Sequence, residues 1–205
     1  MDVQDNDNAL PPDCRATGAP GMPAIVFDGL VLRPYQDGDA AAMVLAVRES
    51  VASVGQWMGW CHAGFAEADA LAWFAHCRAA WAGGSAYEFA VFAENDGSYL
   101  GGCGLNFINH DHRFCNLGYW VRQSRQRQGV ALRCVQALSA HGFAVLGLQR
   151  IEIVVAEGNL PSAAVARKAG AVLECLARNR LQLHGRAVAA SVFSLLPPVG
   201  ETGLH

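Results

Sequence analysis

A chain of 205 residues, 52% hydrophobic and 16% charged, can bury one sizeable core and is too apolar to be disordered. A formal net charge of -3, with no basic run outside one short window, argues against a nucleic-acid partner. No apolar run is long enough to cross a bilayer, the opening MDVQDNDNALPPDCRATG is too acidic and polar for a secretory signal, and the seven cysteines never form C-x-x-C, so a cytoplasmic protein away from membranes is expected.

Residues 1–24, rich in Asp, Asn, Pro and Gly, predict a flexible tail; 25–199 predict one domain and 200–205 a second short tail. Leu30-Val31-Leu32-Arg33 reads as a strand stopped by Pro34. Asp37-Gly38-Asp39 offers a cap for a helix over Ala40 to Val47. Val51 to Phe65, with glycines at 55, 59 and 64, reads as a loop. Glu67 to Trp81 places apolar residues at 71, 74, 77 and 81, which is helical spacing, and Gly83-Gly84 ends it. Tyr87 to Ala93, Tyr99 to Ile108 and Phe114 to Val121 predict three strands joined by Asn95-Asp96-Gly97-Ser98 and Asn109-His110-Asp111-His112. Gly101, Gly102 and Gly104 weaken the middle one. A helix opening at Gly129 carries Leu132, Val135, Leu138, Phe143 and Leu146 on its buried side. Ile151 to Ala156 predicts a strand, Asn159 to Ala169 a helix closed by Gly170, and Val172 to Leu183 with Arg186 to Leu196 a last hairpin about His184-Gly185. The order is βααβββαβαββ, an α/β (α+β) chain with a mostly antiparallel twisted sheet and helices on both faces.

The chemistry concentrates at LGYWVRQSRQRQGVAL, Leu117 to Leu132. No Asp or Glu occurs between Asp111 and Glu152, and Arg122, Arg125, Arg127 and Arg133 crowd the helix start. A helix N-terminus offers unpaired N–H groups and a positive dipole end, and Gly129 lets backbone approach an anion, so a phosphate-bearing ligand is expected. A P-loop Lys-Ser/Thr is missing, as is a ribose-binding acid after a G-x-G-x-x-G, which argues against a nucleotide site of those kinds. His110-Asp111-His112 has no matched distant ligands, so no metal is expected.

Gln126-Arg127-Gln128-Gly129-Val130-Ala131 resembles the Q/R-x-x-G-x-G/A signature of the GNAT superfamily of acyl-CoA-dependent N-acetyltransferases, in the required strand-turn-helix context. Asn159-x-x-Ser162 with Lys168-Ala169-Gly170, Leu32-Arg33-Pro34 and Trp57-Met58-Gly59-Trp60 resemble its RimJ/RimL branch, in order, over roughly Gly29 to Pro197. The resemblance implies acetyl-CoA as cosubstrate, without a metal. Backbone at Arg127, Gln128, Gly129, Val130, Ala131 and Leu132 would hold the diphosphate. The Trp120-Val121 strand would take the pantetheine arm, with the Val121 amide polarising the thioester carbonyl, an oxyanion contact worth ~2.7–4 kcal/mol per donor. Asn159 would contact the arm, and Ser162 would lie near the leaving sulfur and protonate it or hold a water that does. Trp57 and Trp60 would line the acceptor pocket.

Many relatives carry Glu two residues before the GYW glycine, where this chain has Asn116. Glu152, in a core-like strand, is the remaining candidate base. An α-amine with pKa near ~8 costs under ~1 kcal/mol to neutralise near pH 7.4, against ~4 kcal/mol for a lysine amine at ~10.4. A site with a weak base therefore suits a protein or peptide N-terminus attacking directly in a ternary complex. A small-molecule amine acceptor and a non-catalytic acyl-CoA-binding module are the alternatives. Acceptor identity, acyl length and oligomeric state, a homodimer included, stay open.

Overall fold

Residues 24–198 are described by the computed structural model. The segments expected as tails, 1–24 and 200–205, fall outside it apart from Ala24. Eight strands form one sheet in the order β1-β2-β3-β4-β5-β6-β8-β7. β1 (Ile25–Phe27) and β2 (Leu30–Arg33) lead into α1 (Ala40–Glu49) and α2 (Glu67–Ala82). The meander β3 (Tyr87–Ala93), β4 (Tyr99–Asn109) and β5 (Phe114–Val121) follows. Then come α3 (Val130–Ala144), β6 (Arg150–Ala156), α4 (Leu160–Lys168), β7 (Val172–Leu183) and β8 (Arg186–Leu195). Neighbouring strands are antiparallel except β5 and β6. The expected order holds with one addition, β1, which pairs with β2 across Asp28-Gly29. Both turn residues have positive φ, 44° and 75°, as a tight hairpin requires.

Strand alternation sends large side chains to both faces of the sheet. Leu30, Leu32, Phe89, Val91, Leu105, Leu117, Ile151 and Phe193 pack with Val135 and Leu138 of α3 and Ala166 of α4. On the opposite face Ala90 and Trp120 meet Met43 and Val47 of α1 and Phe74 and Cys77 of α2. Tyr35 stacks on Phe74 at 4.9 Å between ring centroids. Each fully buried Phe, Leu or Ile contributes roughly 1.5–3 kcal/mol, which fixes the helices on the sheet.

The sheet opens at β5. β6 pairs with it only at Phe114, Cys115 and Asn116, then continues as a partner of β8. Arg122 N–H donates to the Leu100 carbonyl at 2.9 Å, so the hydrogen-bonded pairs of β4 and β5 are Leu100/Arg122, Gly102/Trp120 and Gly104/Gly118. Pairs alternate in an antiparallel ladder. The N–H and C=O groups of Tyr119 and Val121 therefore point away from β4, into the opening between β5 and β6.

Candidate active site

At one end of the opening lies the start of α3. Gly129 is its N-cap residue at φ 78°, and no side chain caps the helix. Arg127 shares the left-handed conformation at φ 60°. The first-turn amides of Val130, Ala131 and Leu132 have no intrahelical acceptor, and these residues line a cavity of about 650 Å³. Its walls also include Arg125, Arg127 and Lys168, and Asn159 and Ser162 of the α4 turn.

The four arginines of the window are not equivalent. The stretch is free of acid in sequence but not in space. Arg122 forms a two-pronged ion pair with Glu49 of α1, at 2.9 and 2.6 Å. Ser124 also donates to Glu49, from its N–H at 3.1 Å and its hydroxyl at 2.7 Å. Held chiefly by Arg122, the Glu49 carboxyl drops to about 2. This clamp fixes the turn before α3. Arg133 is spent on the carbonyls of Asp28 and Gln128. Arg125 approaches Asp96 at 4.0 Å. Among the described residues Arg127 and Lys168 make no ion pair, so they are the cations left for an anionic ligand.

At the other end of the opening, Tyr119 of β5 reaches across to α4. Its hydroxyl lies 2.9 Å from Ser162 Oγ and donates to the Ser162 carbonyl at 3.2 Å. Burial pushes the Tyr119 phenol up to about 12, so it stays protonated at neutral pH. Asn159 Oδ1 accepts from Ser162 N–H at 3.2 Å, capping α4 and leaving Nδ2 for the cavity. Capping and lining the cavity thus fall to different atoms of Asn159.

Behind β5, on the α1–α2 side, is a second cavity of about 570 Å³. Met58, Tyr119 and Trp120 line both cavities, so the two meet at the β5 edge. The second is walled by Tyr35, Trp60, Phe65, Trp73 and Trp120, with Asp69, His62 and His76 also on its lining. Trp60 packs edge-on against Trp120 at 5.3 Å. Gly102, expected only to weaken its strand, forms part of the floor: a Cβ there would collide with the Tyr35 hydroxyl and with Trp120 Nε1.

Of the residues expected to bind the cofactor, Trp120, Val121, Arg127, Gly129, Val130, Ala131, Leu132, Asn159 and Ser162 line the first cavity together. Gln128 does not; its amide donates to the Ser124 carbonyl at 3.2 Å and it borders a separate hollow beside Arg133. Trp60 lines the aromatic cavity as expected for an acceptor pocket, but Trp57 lies in the first cavity, next to Gly158. Glu152 lines neither cavity. Arg150 holds it at 3.0 Å and also grips Glu174 at 2.7 Å, so this carboxylate, opposite Asn116 at the last pair before the strands part, is committed to an ion pair. Two groups of the site are absent from the sequence-based expectations: the Tyr119 hydroxyl, and Glu88, which projects from β3 into the aromatic cavity. Strand alternation places Glu88 on the Ala90 face, the one local signal it gave. Among the described residues no group of three or more His, Cys, Asp or Glu could hold a metal, and no helix is long and apolar enough to cross a membrane.

Residues 29–172 match the family described as Acetyltransferase (GNAT) domain. The uncharacterized N-acetyltransferase p20 of Bacillus licheniformis is 31% identical over 113 residues, which are 55% of this chain and 64% of p20. A Vibrio cholerae structure described as a "putative ribosomal-protein-serine acetyltransferase" superposes with a TM-score of 0.77 at 34% identity, covering 85% of this chain and 97% of that one. Mycobacterium smegmatis RimJ, in complex with CoA-disulfide, shares the fold with a TM-score of 0.76 at 24% identity, over 85% and 86% of the two chains. The family match spans most of the sheet, from the turn before β2 to the start of β7, and includes both cavities' shared edge: the chain belongs to the GNAT acetyltransferase family.

Proposed function

We propose that the protein transfers the acetyl group of acetyl-CoA to a primary amine, an N-terminal α-amine of a protein or peptide, by direct attack in a ternary complex. The observation that carries this reading is the meeting of two cavities at an unpaired strand edge. The α3 amides with Arg127 and Lys168 fit a diphosphate, and the outward N–H groups of Tyr119 and Val121 with the Tyr119 C=O fit the amide-bearing pantetheine arm, the Val121 C=O already accepting from Gln126 Nε2 at 3.0 Å. The Val121 N–H then faces the thioester, where a fixed donor polarises the carbonyl. The aromatic cavity takes the acceptor from the opposite side. The name of the Vibrio cholerae relative supports a protein acceptor. The aromatic cavity, about 570 Å³, also supports a small amine as a second reading, since it is the size of a drug-sized ligand site.

Thiol release from acetyl-CoA separates these. Peptides with free N-termini should exceed N-terminally blocked, lysine-bearing peptides by at least tenfold in kcat/KM at pH 7.4, because lysine carries the larger deprotonation cost. Equal rates would remove the α-amine preference, and turnover of free amines alone would select the second reading.

The two tryptophans of the 57–60 loop should behave differently. Trp57→Ala opens the first cavity and should weaken coenzyme A binding several-fold with little change in acceptor KM. Trp60→Ala removes a wall of the aromatic cavity and should raise acceptor KM, leaving coenzyme A affinity in place. Calorimetry beside initial rates checks both; the reverse pattern would exchange the two cavities' roles.

A further inference from the structure

Glu88, Gly104 and Gly118 stand in one row across β3, β4 and β5. Neither glycine carries a side chain, so the Glu88 side chain can lie flat along the row. It does: a Cβ on Gly104 would overlap the Glu88 carboxylate. The carboxylate thus sits over β4, one strand spacing of ~4.8 Å from β5. Its Oε1 accepts from Asn106 Nδ2 at 3.0 Å, and Asn106 Oδ1 accepts from Asn116 Nδ2 at 2.9 Å. An ionised carboxylate can only accept, so it fixes the orientation of both amides. Asn116 is the far anchor of a hydrogen-bonded chain that ends on the Glu88 carboxylate. Among the described lining residues of this cavity there is no Lys or Arg. Its other carboxylate, Asp69, is exposed and is engaged by the Ala66 N–H at 2.8 Å at the start of α2.

We propose that Glu88 receives the acceptor's ammonium group and takes its proton, with Asn106 and Asn116 as positioning residues; this rests on the acetyl-transfer reading above. The ammonium gives one proton to Glu88. The freed nitrogen lone pair attacks the acetyl carbonyl carbon, the C–N bond forms, and the C–S bond breaks with its electron pair going to sulfur. The second nitrogen proton ends on sulfur, and Glu88 returns its proton to water. The balance is ammonium plus thioester giving amide, thiol and one proton. Burial raises the Glu88 carboxyl above the ordinary carboxylate range, against the hydrogen bond from Asn106, which moves it toward the amine it serves. The titratable groups around it are His76 and Cys77 of α2, Tyr35 after β2 and Cys103 of β4.

Two variants and two readouts test this. Glu88→Gln is isosteric and its amide oxygen can still accept from Asn106. Gly104→Ala keeps the carboxylate but pushes it off the row. Rates are measured from pH 6 to 9 with the best acceptor of the thiol-release screen. Phenethylammonium, a cation with an aromatic body, is titrated into the enzyme with coenzyme A and read by tryptophan fluorescence. Glu88→Gln should lose at least about 100-fold in kcat/KM at pH 7, a loss that shrinks as the pH nears the amine's pKa. Phenethylammonium binding should weaken at least tenfold, while coenzyme A binds within twofold of the parent. Gly104→Ala should lose at least tenfold in kcat/KM under the same control. A Glu88→Gln enzyme within threefold of the parent at pH 7, or the lack of any Glu88-dependent phenethylammonium binding, overturns the assignment. Glu88-dependent binding without acetylation of any amine would sink the transfer reading and its proton step, leaving the ammonium site standing.

Discussion

Gly129→Asp should lower coenzyme A affinity by about 100-fold, ~2.8 kcal/mol, in a protein that stays folded. Two effects add. At φ 78° the position is left-handed, which costs an L-residue roughly 1–2 kcal/mol, less for Asp than for most. An Asp in this conformation cannot adopt the extended backbone of a capping residue, so it gains nothing as a cap. The larger effect is charge. A carboxylate about 4 Å from a diphosphate oxygen is opposed by up to ~4 kcal/mol at an effective dielectric of 20, before screening. A steric clash with the protein is not part of the argument, because the nearest atom to an added Cβ is Arg133 Nε at 3.9 Å. Gly129→Ala separates the two effects: it keeps the backbone cost and omits the charge, so it should lose stability by about 1 kcal/mol and bind coenzyme A within about tenfold of the parent. Calorimetry on both variants decides it, and unchanged binding in a folded Gly129→Asp protein would remove the phosphate from this turn.

Local pattern explains why so much of the fold was legible. The apolar runs of β3 and β5 between turn residues and the apolar face of α3 are properties of short segments, and both β-strand boundaries were read as they stand, Tyr87–Ala93 and Phe114–Val121, while Leu71 of α2, part of its helical spacing, is exposed. β1 escaped because three residues are too few to show a period, although Asp28-Gly29 marked its turn. The cavity at α3 was legible for the same reason: glycine, turn and helix start are contiguous. Asn159 and Ser162 were joined to that cavity by the family resemblance alone, and contacts with other partners distant in sequence were not legible. Glu49 lies 73 residues before the Arg122 it neutralises. The 57–60 loop has no period, so nothing in it could show that Trp57 and Trp60 part to different cavities. Alternation told that Glu88 and Glu152 each take one face of the sheet, but not what stands across from them. Register decides that. It sets Glu88 over two glycines and an asparagine, while Arg150 and Glu174 claim Glu152.

Ser162→Ala should lower kcat by about 5- to 100-fold with little change in coenzyme A affinity. The structure refines why. Ser162 Oγ and the Tyr119 hydroxyl are 2.9 Å apart across the opening, so in the proposed reaction they would act on the leaving sulfur as one unit rather than two. A phenol held near 12 is a weak acid, and a coenzyme A thiolate leaves without strong help, so the gain belongs at the low end of general acid catalysis. Tyr119→Phe should therefore fall in the same range as Ser162→Ala. The double variant should be no more than about threefold worse than the poorer single one, because removing either hydroxyl already breaks the pair. Independent roles would instead multiply the two losses. Asn159→Ala should stand apart: it removes the cap on α4, worth about 1 kcal/mol of stability, together with the Nδ2 group facing the first cavity, so it should weaken coenzyme A binding as well. Rates for the three single variants and the double, beside coenzyme A titrations, make the comparison. Full kcat in Ser162→Ala would reduce its hydroxyl to a partner of Tyr119 and leave Tyr119 or water to protonate the sulfur.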